Sequence, residues 1–237
     1  MRKLLDSILH LHRFLSSQLV YPLVLSSLLA VTLFIGRVLQ SHNLTYHYLL
    51  WNLFLAWVPY LCSVGAAVSN KIFPKRGWFL LIPGILWLIF FPNAPYILTD
   101  FFHLDDHPYI PLWYDVVMLA SFAWTGCILA IVSLRTMQLL VRKYLGWLAG
   151  WLFAFTSVFL CGMGVYMGRF LRWNSWDLFY QPLQIFNDIT ERFADPFNNL
   201  RFFVFSILFS MFLLVIYLAF VSLQRVNETE TIPQEKP

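Results

Sequence analysis

Six long apolar runs divide this chain, at about residues 19–36, 44–69, 78–98, 112–134, 145–168 and 202–223. A helix needs about 20 predominantly apolar residues to cross a hydrocarbon core of about 30 Å. Runs of this length and number therefore predict an all-α integral membrane protein with about six transmembrane helices. Composition supports that reading. Hydrophobic residues make up 59% of the 237 and charged residues 12%, about half the charge of an ordinary soluble domain. So much apolar surface requires lipid as its solvent. The 24 Phe and 10 Trp suit a chain with aromatic belts at the membrane interfaces.

The segments around the runs set the predicted organisation. Residues 1–18 form a basic amphipathic stretch with Arg2, Lys3, His10, His12 and Arg13. The first run is longer than a signal-peptide core of about 7–15 residues, and no small-x-small cleavage site follows it before Arg37. It is expected to be an uncleaved first helix. Pro59 and Asn52 lie inside the second run. The third is interrupted. From Trp78 to Phe91 it covers about 21 Å, too short to cross, before Pro92. It must then either continue irregularly toward Leu98 or stop short of the surface. The fifth run carries Gly146-x-x-x-Gly150 and Gly164-x-x-x-Gly168, spacings that allow close helix approach. Between the fifth and sixth runs, Leu183, Phe186, Ile189 and Phe193 recur at helical spacing among Asp188, Glu191 and Arg192. That pattern predicts a short amphipathic helix on the membrane surface. Residues 224–237 are polar with two prolines and are expected to form a disordered cytoplasmic tail.

Charge placement predicts orientation. With the N-terminus inside, eleven of the sixteen Lys and Arg fall on inner segments and five on outer ones. The positive-inside rule therefore favours a cytoplasmic N-terminus and C-terminus, N-in/C-in. The loop from Pro92 to Pro111 holds no Lys or Arg and three Asp, which suits the outer face. The basic residues are scattered and form no stripe, so nucleic acid is not an expected partner. Cys62, Cys127 and Cys161 all sit inside apolar runs, with no disulfide framework or metal-type spacing.

Three polar strings share the predicted outer face: Pro92-Asn93-Ala94-Pro95-Tyr96-Ile97-Leu98-Thr99-Asp100 with His103-Leu104, Trp113-Tyr114-Asp115, and Gly168-Arg169 through Arg172 to Asn174-Ser175-Trp176-Asp177. Together they resemble the signature blocks of a bacterial membrane-protein family catalogued as domain of unknown function 1361. The resemblance covers roughly residues 80 to 205. It implies a multi-pass envelope protein and carries over no activity.

The residues themselves suggest a composite polar site of Asn93, Tyr96, Asp100, His103, Asp115, Arg169, Arg172, Asn174 and Asp177. Ionisable groups at membrane depth are costly and are usually paired or functional. Arg169 and Arg172, at i and i+3, present forked donors that suit phosphate or carboxylate. Alternatively they pair with Asp100, Asp115 or Asp177 and tie helix ends together. Asp100, His103 and His107 could meet a divalent metal such as zinc. The spacing matches no established metal motif and Pro108 ends any helix soon after, so no cofactor is predicted. The plainer reading is a solvated acidic loop with Asp100 as a helix cap. For Asp115, one turn into the fourth run, the helix dipole is sufficient explanation unless an arginine contacts it.

Three functional classes remain open. The chain could bind or transport an anionic or lipid-linked small molecule. It could be a membrane-embedded enzyme acting on a lipid or lipid-linked substrate, with a carboxylate or His103 as base. It could be a scaffold or assembly factor of the cell envelope. Expected partners are the bilayer, lipid headgroups and lipid-linked or anionic molecules. Oligomeric state is not specified by the sequence.

Overall fold

The computed structural model describes residues 12, 16, 18–74, 77–105 and 109–230. Among the described residues all the extended elements are helices, and six helical segments are long and apolar enough to cross a membrane. The chain is a multi-pass membrane protein, and it divides into two compact halves, Met1–Met137 and Gln138–Pro237.

In the first half, α1 (Val20–Ser41) and α2 (Tyr48–Ile72) are uninterrupted, with Pro59 accommodated inside α2. The third membrane segment is compound. It comprises a 3-10 turn (Gly77–Leu80), α3 (Leu81–Phe90), the single turn α4 (Asn93–Tyr96) and a 3-10 segment (Ile97–His103). The reason is local. Pro92 and Pro95 have no N–H to donate, so the α-helical ladder cannot pass through them. The chain continues by one bond of 3-10 spacing, Ala94 N–H to the Phe91 carbonyl at 3.3 Å, and one isolated bond of α spacing, Tyr96 N–H to the Pro92 carbonyl at 3.1 Å. The segment therefore continues irregularly and reaches His103, and Gly77–His103 as a whole has spanning length.

Packing holds this break in place. Trp87 and Phe91 stack with ring centroids 4.4 Å apart, and both are buried. Ala94 and Ile97 are fully buried. A Cβ on Gly126 would collide with the Ala94 carbonyl oxygen, so α5 (Leu112–Leu145) meets the break where it has no side chain. Polar contacts tie α1 to its neighbours. Ser26 and Thr125 hydroxyls lie 2.6 Å apart, Trp57 Nε1 donates to Ser27 Oγ at 3.1 Å, and the Tyr114 hydroxyl donates to the Leu33 carbonyl at 2.9 Å. The fourth helix does not stop at Leu134 but runs on through Arg135 and Arg142 to Leu145.

The second half contains the end of α5, α6 (Trp147–Phe170), the turn α7 (Asp177–Tyr180), α8 (Pro182–Ala194) and α9 (Leu200–Glu230). Gly146 alone separates α5 from α6, at φ 93°, a conformation other residues rarely adopt. Gly146 thus serves as the turn, while close approach is the work of Gly150 and Gly162. A Cβ on Gly150 would meet Arg142 Cβ at 2.9 Å, and one on Gly162 would collide with the Ser206 carbonyl and Ser210 hydroxyl oxygens of α9. Ser210 Oγ donates to the Val158 carbonyl at 3.1 Å, and the Tyr217 hydroxyl bonds to Gln138 Oε1. Near the end of α6, buried Met163, Tyr166, Met167, Ile185 and Phe202 form one apolar cluster that joins α6, α8 and α9.

Candidate functional site

Polar groups converge in the first half where α1 ends and α2 and α5 begin. Arg37 lies one turn before the end of α1 and is 1% exposed. Its Nε donates to Asp115 Oδ1 at 2.7 Å and its Nη2 to Asp115 Oδ2 at 3.2 Å. Asp115, in the first turn of α5, is also 1% exposed. Forked pairing of this kind uses the planar guanidinium fully and fixes both side chains. The Tyr46 ring lies 4.4 Å from the guanidinium carbon, an arrangement in which the ring face attracts the cation. The third guanidinium nitrogen, Nη1, is buried with no hydrogen-bond partner among the described residues.

Tyr46 extends this network. Its hydroxyl donates to the His103 carbonyl at 3.2 Å. Burial pushes the phenol above its ordinary pKa, and the Asp115 carboxylate adds to that shift. Tyr46 therefore stays a neutral donor at physiological pH. Three residues before His103 in the same 3-10 segment, Asp100 is 1% exposed and accepts from Asn52 Nδ2 on α2 at 2.8 Å. Asp100 is thus an interhelical acceptor for Asn52, not the cap of a following helix. Thr99 instead closes the local turn, its hydroxyl donating to the Tyr96 carbonyl at 2.7 Å. Asn93 and Tyr96 begin and end α4 and are half-buried. The His103 side chain is exposed, with its ring 5.6 Å from that of Tyr48.

Asp106 and His107 lie outside the described residues. Among the described residues, no group of three or more His, Cys, Asp or Glu is arranged to hold a metal ion.

Arg169, Arg172, Asn174 and Asp177 belong to the second half, at and just beyond the end of α6. Arg169 occupies the last turn of that helix and is half-buried. Asp177 closes the following turn, its Oδ2 accepting from Asn174 N–H at 2.7 Å and Asn174 Nδ2 at 3.2 Å. Trp173 Nε1 donates to Asp188 Oδ2 on α8 at 2.7 Å, and Arg192 Nη1 bonds to the Asp188 carbonyl. Arg201 lies over the Phe170 ring at 4.4 Å.

Arg172 is different from its neighbours. Its backbone is left-handed, at φ 60°, without being glycine. That conformation reverses the chain so that Trp173 N–H reaches the Met167 carbonyl at 3.2 Å. The side chain is exposed, and among the described residues the guanidinium has no hydrogen-bond or ion-pair partner. A bulky residue held there costs on the order of 1–2 kcal/mol relative to an ordinary backbone.

Arg37 and Tyr46 are absent from the site expected from sequence. Arg37 reads there as one of five outer-segment cations. The available signal is that apolar residues Val38 and Leu39 continue past it, which puts it inside a helix and makes a partner necessary. A sequence-family model described as a protein of unknown function, DUF1361, matches residues 51–216. The matched region takes in Asn52, Asp100, Asp115 and the Arg169–Asp177 turn but begins after Arg37 and Tyr46. No curated protein and no solved structure matches the chain.

Proposed function

The chain belongs to the DUF1361 family, and from that premise we propose that it is a membrane-embedded binding protein for an anionic group carried on a lipid or lipid-linked molecule at the outer face. The observation that carries the proposal is Arg172: an exposed guanidinium without a partner among the described residues, on a left-handed backbone position where glycine would be easier. Strain of this kind is retained where the side chain has a task. A guanidinium fork matches phosphate and carboxylate oxygens, and it is strongest where water is scarce. Arg169 adds positive potential from the same helix end. Asn174 and Asp177 hold the turn that presents Arg172. The Lys and Arg distribution supports the outer placement.

Asp115 has its charge committed to Arg37, and it acts by fixing helix ends. The test is purification in a mild detergent followed by native mass spectrometry of retained lipids. Wild type is expected to hold an anionic lipid or lipid-linked species, and Arg172→Ala to lose it while eluting as the same folded species. Equal retention by the two proteins would overturn the proposal. Arg172→Lys is expected to restore part of the binding, because it keeps the charge but loses the fork.

A further inference from the structure

The surface helix α8 has three faces. Ile185, Asp188, Ile189 and Arg192 turn toward the rest of the second half: Ile185 is buried, the other three are half-buried, and Asp188 is tied to Trp173. Of the four apolar residues whose spacing marks this helix in the sequence, Ile189 thus turns inward, beside Asp188 and Arg192. Gln184, Asn187 and Glu191 make a second, exposed polar face. At 100° per residue, Leu183, Phe186 and Phe193 fall together on a third face. They are 75%, 63% and 51% exposed.

This apolar ridge is continuous with the surface of a membrane-spanning helix. The Phe193 ring lies 5.2 Å from Phe203 on α9. Phe197, 91% exposed, leads from α8 to Leu200, and Val204, Ile207 and Leu208 continue as exposed residues along α9. Helix α9 has spanning length, so this exposed surface is the one that meets lipid. A helix held by one face to its own bundle, with an apolar face on one side and a polar face on the other, matches the boundary between acyl chains and water.

We infer that α8 is seated in the lipid interface, with Leu183, Phe186 and Phe193 among the upper acyl chains and Gln184, Asn187 and Glu191 in water. The partner is the bilayer. The Trp173–Asp188 bond then joins the seated helix to the Arg172 turn and holds that turn beside the headgroups. The seat itself needs no bound anion, so it stands or falls separately from anion binding.

Spin labels test it. Phe186→Cys and Asn187→Cys, made in a background with Cys62, Cys127 and Cys161 replaced by Ser, are labelled and reconstituted in phosphatidylcholine–phosphatidylglycerol vesicles. Collisional relaxation is then measured with oxygen, which concentrates in lipid, and with a water-soluble nickel chelate. The label at 186 is expected to be several-fold more accessible to oxygen, and the label at 187 to show the reverse preference. Preference for the nickel chelate at both sites would overturn the seat. So would a label at 186 that is immobile and shielded from both reagents, the signature of a second copy or another protein covering the ridge. If Phe186→Cys does not fold, Leu183→Cys gives the same reading from the same face.

Discussion

Arg37 and Arg172 each stand near the end of a spanning helix, and they have opposite surroundings. Arg37 is buried, bound through two nitrogens to Asp115, and covered by the Tyr46 ring. Arg172 is exposed, has no partner among the described residues, and rests on a strained backbone. The physical roles differ accordingly. A buried guanidinium must be paired because desolvating a lone charge costs several kcal/mol. Once paired, it becomes part of the frame. An exposed guanidinium is free to meet a ligand, and its loss should leave the frame intact.

The largest test of that contrast is Arg37→Met. It strands the Asp115 carboxylate in an apolar site, and about 3–5 kcal/mol of stability should be lost, seen as a lower unfolding temperature in detergent. The double variant Arg37→Met/Asp115→Leu should recover most of the loss, because it removes the orphaned charge. A single variant as stable as wild type would mean that the pair is not truly desolvated.

The rigidity of the first half should extend to the broken third segment. Gly126→Ala drives a methyl group into the Ala94 carbonyl and is expected to cost about 1–3 kcal/mol. Thermal unfolding again measures it, and a neutral outcome would show that the break can shift away from α5. Asn52→Leu removes a donor from the buried Asp100 carboxylate and should cost a comparable or smaller amount, about 1–3 kcal/mol. If Asp100→Asn in the Asn52→Leu background restores stability, the penalty came from the carboxylate charge.

Arg172→Gly should have the smallest effect on stability, and of opposite sign. Glycine relieves the left-handed strain, so a gain of up to about 1 kcal/mol is expected. Retention of anionic lipid should fall in the same protein. Destabilisation instead would place Arg172 with Arg37 as a structural group and erase the contrast between them.

The two regions also differ in how much of them can be read from sequence. The number of spanning segments and the interruption at Pro92 follow from hydropathy and from the missing proline N–H groups. Both are properties of contiguous residues. The break's exit is less legible, because Asp100 in the 3-10 segment Ile97–His103 is bonded to Asn52 of another helix, 48 positions away. Glycine spacing drew attention to Gly146 and Gly150; Gly146 became a turn and Gly150 a tight contact, but Gly126 and Gly162, in no such spacing, make contacts that are tighter still. Whether a glycine marks an interface depends on which helix lies opposite it.

Hydrophobicity and proline chemistry act over one or two turns, so the chain's amino-acid order specifies six apolar helices, their interruption and the presence of a surface helix. The Arg37–Asp115 pair spans 78 positions in sequence, and it exists because packing brings the end of α1 beside the start of α5. The same is true of the inward turn of Asp188 and Ile189 on α8, which a periodic pattern cannot distinguish from an outward one. Partner choice among buried charges is a matter of distance and desolvation, and both arise only when helices from distant parts of the chain come together.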